Sequence, residues 1–290
     1  MSGTVHKPAM FSGAWAHPSL RIGVSGTIIF ALVAVISLVW TPYDIAVLDI
    51  VNRFSGPTPA HWLGTDFFGR DMLSLIMSGA LTSFIVAVLA VTIGLLIGVP
   101  LGLIAVAYGG LLEWILLRVN DFMFAFPALI SAIIITTLFG PGAINAMIAI
   151  GIFNIPVFAR VARGGALSLI TLDFIGAARL SGMGKLEMAW RHLLPNIASL
   201  LIVQATIQLS LGILAEAGLS YIGLGTQPPA TSLGLMLRDA QSFFLLHPML
   251  ALLPGLTIVA IVICLNLAGD GLRDALDPRL ARQGTLDAAG

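Results

Sequence analysis

Apolar residues along this chain gather into six long blocks, 22–40, 81–108, 115–139, 143–161, 197–219 and 248–268, separated by more polar passages. Each block is close to or longer than the roughly 20 residues that a helix rising about 1.5 Å per residue needs to cross a hydrocarbon core. The blocks lack the polar stripe of an amphipathic surface helix. The pattern therefore predicts an all-α, polytopic membrane protein with about six transmembrane helices. The first block follows Arg21, as a secretory signal would, but it is longer than the usual apolar region of a signal and no small-residue cleavage site follows Trp40. It is expected to remain as a span. Glycine and proline recur inside the blocks, at Gly94, Gly98, Pro100, Gly102, Pro127 and Pro156. In lipid these residues permit close packing or kinks where neighbouring helices satisfy the freed backbone groups, and Gly94 with Gly98 forms a GxxxG packing pair.

Three passages between the blocks, 41–80, 164–196 and 220–247, are too long to be simple turns. Connections of that length are more often functional than decorative. They divide the chain into 1–78, holding the amino terminus, first span and a long external segment; a core, 79–270, with an internal loop at 164–196; and a tail, 271–290. Neither a repeat of about 20 to 50 residues nor an inverted pair of broken helices is visible, so the sequence does not point to a secondary-transporter fold.

Composition agrees with lipid as the main solvent: 58% of residues are hydrophobic and 10% charged, with a mean hydropathy of +1.01. A soluble domain carries about 25% charged residues. Net charge is zero, so the information lies in where the charges sit. With a cytoplasmic amino terminus, eleven of the 14 Lys and Arg residues fall inside, and Arg53, Arg70 and Arg238 fall outside. By the positive-inside rule both termini are expected to be cytoplasmic. No basic run suggests nucleic acid. Cys264 has no partner for a disulfide or a CxxC metal site and is expected to be inert packing. The histidines form no HxxxH or HExxH pattern, which leaves a catalytic zinc unsupported. No phosphate-cradling G-x-x-x-x-G-K-[ST] loop and no GxSxG elbow occur, so no catalytic or metal-binding residue is assigned.

The internal passage reads FIGAARLSGMGKLEMAWRHLLPN over 174–196. Phe174, Ala177, Ala178 and Ser181 recur at helical spacing, placing small residues and one aromatic on a shared face that another surface can approach closely. Gly182 and Gly184 are expected to end this helix with positive φ angles, and a second helix, 186–194, to lead back to the membrane at Pro195. Spacing alone leaves two readings open: a docking element, or a hairpin that merely joins two spans.

Ala177, Ala178, Gly182, Leu194 and Pro195 resemble the EAA loop of ATP-binding-cassette (ABC) importer permeases, with its alanine pair, a glycine four residues on and a closing Leu-Pro. Gly176 stands where that family usually has glutamate and His192 where the pattern has isoleucine. The blocks HWLGTDFFGRDMLS (61–74), ILAEAGLSYIGLGTQPP (213–229) and NLAGDGLRDALDPRL (266–280) are similar to signatures of the dipeptide, oligopeptide and nickel branch, in its second, C-type permease. The resemblance implies the type I ABC importer permease fold in a bacterial inner membrane. It also implies a homologous permease as heterodimer partner, two ABC ATPases and an external solute-binding protein. ATP and magnesium would bind those ATPases, with no cofactor in this chain. In that family the loop couples to the ATPase, which carries Gly176, Ala177, Ala178, Gly182, Leu194 and Pro195 over as coupling-loop residues. The implied cargo is a peptide or a solute of similar size, with nickel or a nickel chelate as the alternative. An ion-driven secondary transporter is the competing class, and a membrane enzyme lacks any catalytic constellation.

Three further groups stand out. Asp66 and Arg70 are four apart and can pair on a helix that Thr65 or Asp66 would cap; with Asp71 they otherwise help shape an outer mouth. Glu216 is the acidic residue of the fifth block, and an intramembrane carboxylate is costly: it either packs helices together or lines the substrate path. Arg118 and Asp121, three apart, suit a local ion pair.

Overall fold

The computed structural model of the protein describes residues 18–276. Lys7, Arg279, Arg282, the rest of the 277–290 tail and the end of the 266–280 motif lie outside the described residues. The helices are α1 (Pro18–Ile36), α2 (Met72–Tyr108), α3 (Gly110–Ala125), α4 (Ala128–Phe139), α5 (Ala143–Leu169), α6 (Asp173–Leu180), α7 (Lys185–Met188), α8 (Leu194–Tyr221), α9 (Leu233–Ala240) and α10 (Met249–Leu276). Residues Ala189–Leu193 are wound as π-helix, so that α7 and α8 form one rod, Lys185–Tyr221. Among the described residues five helices are long and apolar enough to cross a membrane, and six spans result if the bent pair α3 and α4 counts as one.

That bent pair corrects the expected third span. Residues 115–139 do not form one helix: α3 and α4 meet at 85°. Phe126 is extended at φ −99°, ψ 133°, the region to which a following proline's ring pushes its predecessor, and Pro127 has no N–H to continue the helical ladder. Pro100, Pro156 and Pro254 sit inside α2, α5 and α10 without ending them. Pro195 likewise does not end a helix. It occupies the first turn of α8, next to the π-wound residues, and the Asn196 side chain donates to the His192 carbonyl at 2.7 Å. A π turn widens the backbone where a proline ring would otherwise clash with the preceding turn.

Between lipid-facing helices there is little hydrophobic gain from association, so close van der Waals packing must hold the bundle together. The α2–α5 contact shows how. Gly94, Gly98 and Gly102 lie one turn apart on α2, and a Cβ at any of them would collide with Asn154, Ile155 O or Ala159 O of α5. The backbones therefore touch. In the same way α1 crosses α10 where a Cβ on Gly23 would strike Ala268 N.

Buried apolar side chains form clusters at the two ends of the bundle and one beside α4. At the end carrying Tyr108, called the loop end here, Leu103, Val106, Phe158, Ala162 and Ala166 meet Ile175, Met188 and Leu193. At the far end Met72, Leu75 and Ile76 pack with Ile213, Leu233, Met236, Ile258 and Ile261. The third cluster joins Ala132 of α4 to Val86, Ala146, Ile150 and Leu219. Both α2 and the Lys185–Tyr221 rod are 37 residues long. At about 1.5 Å per residue each reaches roughly 55 Å, well beyond a hydrocarbon core of about 30 Å. They meet at the loop end, where the Lys185 ammonium stands 5.6 Å from the centre of the Tyr108 ring.

Gly98→Leu should force α2 and α5 apart, since overpacking a tight contact costs about 1–3 kcal/mol. We expect a lower melting temperature in detergent for this variant. Gly56→Leu, at a position where a Cβ meets nothing within 4 Å, should melt like the parent. Equal melting of all three proteins would contradict the packing account.

Candidate functional site

The passage between α5 and α8 is folded against the bundle rather than looped out. Helix α6 ends in a Schellman turn: Gly182 N donates to Arg179 O at 3.0 Å, Met183 N to Ala178 O at 3.2 Å, and Gly182 takes φ +82°. Gly184 does not share that geometry. It precedes α7 at φ −66°, so one glycine rather than two makes the turn. Ile175 and Ala178 point into the protein, at 0% and 8% exposure. Phe174, Gly176, Ala177, Leu180 and Ser181 are exposed, with Leu180 at 92%. The shared face expected for Phe174, Ala177, Ala178 and Ser181 is thus split. Ala178 joins the inward ridge with Ile175, three residues earlier, and the outward ridge gains Leu180. Leu180 went unrecognised in the sequence because the small-residue pattern drew the helix face one position off.

Two ion pairs brace the helices behind this loop. Arg163 of α5 holds Glu113 of α3 at 2.6 Å, and Arg160 reaches Asp121 at 3.3 Å. The pairing expected between Arg118 and Asp121 is replaced: Arg118 lies over the Trp114 ring, 5.4 Å from its centre. The 85° bend brings α3 across α5, so Asp121 finds its partner on the neighbouring helix.

Before α2, residues 41–71 form a tight irregular segment. Asp66 and Arg70 do pair, at 2.7 Å, but around a turn and not along a helix. Asp66 also accepts from Phe68 N and Arg70 N, both at 2.8 Å. Gly69 allows the turn at φ +78°, where a Cβ would run into Asp49 O. The helix cap is Asp71, not Thr65 or Asp66: it accepts from Ser74 N and Ser74 Oγ at 2.8 Å and faces His61 Nδ1 at 3.0 Å. This segment and α9 enclose a cavity of about 240 Å³ whose wall includes Asp66, Arg70 and Asp239. Burial pushes the Asp239 carboxyl above its ordinary value, with Arg70 and Arg238 pulling it down and Asp66 adding to the rise.

Glu216 is fully buried between α2, α8 and the chain that follows α8. Ser83 Oγ donates to one carboxylate oxygen at 2.7 Å; Ser220 Oγ at 2.6 Å and Thr226 Oγ1 at 3.2 Å donate to the other. Ser220 Oγ in turn accepts from Thr226 N at 2.9 Å. Both carboxylate oxygens thus have donors within the protein, and Glu216 is not among the residues lining a cavity between the neighbouring helices. That cavity, about 500 Å³, lies among α4, α5 and α8 and is bordered by Phe126, Leu129, Phe153, Asn154, Gln208 and Leu211 among others. Gln208 Nε2 donates to Asn154 Oδ1 at 2.7 Å. Asn154 and Gln208 went unnoticed in the sequence because neither is charged, although a polar amide in the middle of an apolar block is a readable signal. Among the described residues no group of three or more His, Cys, Asp or Glu is placed to hold a metal.

Known proteins resemble this chain in both sequence and fold. The family described as "Binding-protein-dependent transport system inner membrane component" matches residues 94–282. The dipeptide transport system permease protein DppC of Alkalihalophilus pseudofirmus is 41% identical over 263 residues, 90% of this chain and 86% of that protein. The glutathione transport system permease protein GsiD of Pectobacterium atrosepticum is 39% identical, over 87% of this chain and 85% of its own. Among solved structures, a chain of the inward-facing methionine ABC transporter MetNI superposes with a TM-score of 0.59 at 20% identity, covering 71% of this chain and 98% of that one. The arrangement of helices is therefore that of type I ABC permeases.

The raised Asp239 carboxyl gives a pH test. Its acidity is weaker folded than unfolded, so the charged form costs the fold at neutral pH, and the cost fades as pH falls through the carboxylate range. Asp239→Asn should raise the melting temperature at neutral pH, with the difference shrinking as the solution is acidified. A pH-independent difference would point elsewhere.

Proposed function

The chain belongs to the binding-protein-dependent transport system inner membrane components, and from that premise we propose how it is assembled and what it carries. It is one of two homologous permease subunits that together form the path for peptides or solutes of similar size. The cargo arrives from an external solute-binding protein. Two cytoplasmic ABC ATPases, which bind ATP and magnesium, supply the energy, and this chain hydrolyses nothing itself. The names of the relatives, a dipeptide permease and a glutathione permease, support the peptide reading.

The observation that carries the coupling role is the outward ridge of α6. Phe174, Ala177 and Leu180 stand exposed on a helix whose other side is anchored in the loop-end cluster through Ile175. An exposed leucine beside exposed alanine and phenylalanine, outside the spanning stretches, is what a partner's apolar cleft would cover. Ala178 contributes by seating the helix, while Ala177 and Leu180 make the contact. Gly176 has open space where a Cβ would be, so a glutamate there fits without moving anything.

The first expected outcome is at this ridge. Leu180→Asp should insert normally and yet weaken ATPase association by about thirtyfold or more, the usual scale for an unpaired charge at the centre of an interface. Gly176→Glu should retain the ATPases. Full uptake by Leu180→Asp at normal expression would end the docking reading.

The second concerns orientation, for which the distribution of basic residues is the support. In a Cys264→Ala background, Leu245→Cys, at a position 94% exposed, should react with an impermeant thiol reagent added outside intact cells. Ser168→Cys, at the loop end, should react only after the membrane is opened. The reverse pattern would invert the topology.

A further inference from the structure

We propose that the Asn154–Gln208 amide pair is the polar contact that a peptide bond meets halfway across the membrane. The proposal rests on the permease reading and adds to it a chemical class for what the path accepts. Asn154 lies near the middle of α5 and Gln208 near the middle of α8, and both line the 500 Å³ cavity. They are 4% and 7% exposed. Asn154 Nδ2 is buried and has no hydrogen-bond partner, and Gln208 Oε1 has only Gln204 Nε2, at 3.4 Å. One strong donor is thus unspent and one acceptor is barely used, in a wall otherwise made of Phe, Leu, Ile, Val, Ala, Pro and Gly. A donor left idle in a low-dielectric site is costly, and a ligand that supplies the missing acceptor recovers that cost.

The class of ligand follows from what the wall lacks. No lining side chain is charged, and none is a histidine or cysteine. A bare divalent cation would lose its water here and find two amide oxygens, one of them already accepting from Gln208, too few to replace it. A peptide bond is the complement: its C=O accepts from the Asn154 amide, its N–H can donate to the Gln208 oxygen, and apolar side chains beside it rest on Phe126, Phe153 and Leu211. A small number of polar groups in a mostly apolar cavity is the usual design of a site that must orient a ligand without gripping it.

The test uses the complete transporter in proteoliposomes with its binding protein. Uptake of radiolabelled dialanine, reduced glutathione and nickel ion is measured together with ATP hydrolysis, for the parent and for Asn154→Leu and Gln208→Met, both near-isosteric. We expect the peptide taken up per ATP hydrolysed to fall about tenfold in each variant, the loss of roughly one well-made hydrogen bond. An unchanged ratio would overturn the proposal, as would a parallel fall of uptake and hydrolysis, which marks a packing role. ATP-driven uptake of nickel alone by the parent would overturn the peptide class while leaving the permease intact. A parent complex that couples no hydrolysis to any uptake would remove the permease reading itself.

Discussion

The backbone contact between α2 and α5 at Gly94, Gly98 and Gly102 is the constraint on which the rest of the bundle depends. Lipid offers helices no hydrophobic reward for pairing, so contact must be won by proximity, and a stripe without side chains is the closest approach available. It fixes the register of α5 on α2. From that register follow the position of Phe158 and Ala162 over Leu103 and Val106, the pocket that accepts Ile175, and the inward placement of Asn154. The 164–196 passage can fold against the loop end because a rigid pair of helices is already there to receive it.

The protein handles polar groups inside its spans in two ways. Around Glu216 every carboxylate oxygen has a donor, from Ser83, Ser220 or Thr226, and the group is sealed. Such a cluster ties α2 to the far end of α8 and to the chain beyond it, and full satisfaction makes it specific as well as tolerable. Around Asn154 and Gln208 the satisfaction is partial, and both residues line a cavity. The contrast between a closed set of hydrogen bonds and an incomplete one separates a structural polar site from one able to accept a ligand, and a residue's charge does not.

The spans were legible in the sequence because bilayer thickness sets a length that composition must meet: blocks 143–161 and 197–219 lie within the observed helices α5 and α8, and block 248–268 lies within α10 except for its first residue. Proline effects were less so. Pro127 breaks its helix and Pro195 does not, and the residue types beside them do not foretell which. The π-wound turn beside Pro195 absorbs the ring, while Phe126 has no such relief. At the 164–196 passage the helix–glycine–helix order was readable, down to the positive φ at Gly182. The outward face was not, since α6 has apolar residues on both sides and only the packing of Ile175 shows which side the bundle claims. The Asp66–Arg70 pair shows the same limit from another direction: the spacing was right for a pair and the backbone around it was a turn.

Because the helix from Lys185 to Tyr221 runs unbroken past Pro195, it acts as a stiff lever. Its longer arm, bearing Met188 and Leu193, is seated beside α6, and its shorter arm ends at Glu216 and Ser220. Gln208, pressed against Asn154, is the fulcrum between them. A tilt of the rod about that point by about 5° would carry the Ser220 end, roughly 18 Å away, in the opposite sense by about 1.5 Å. The bond from Ser83 to Glu216 ties that end to α2 and would resist such a swing.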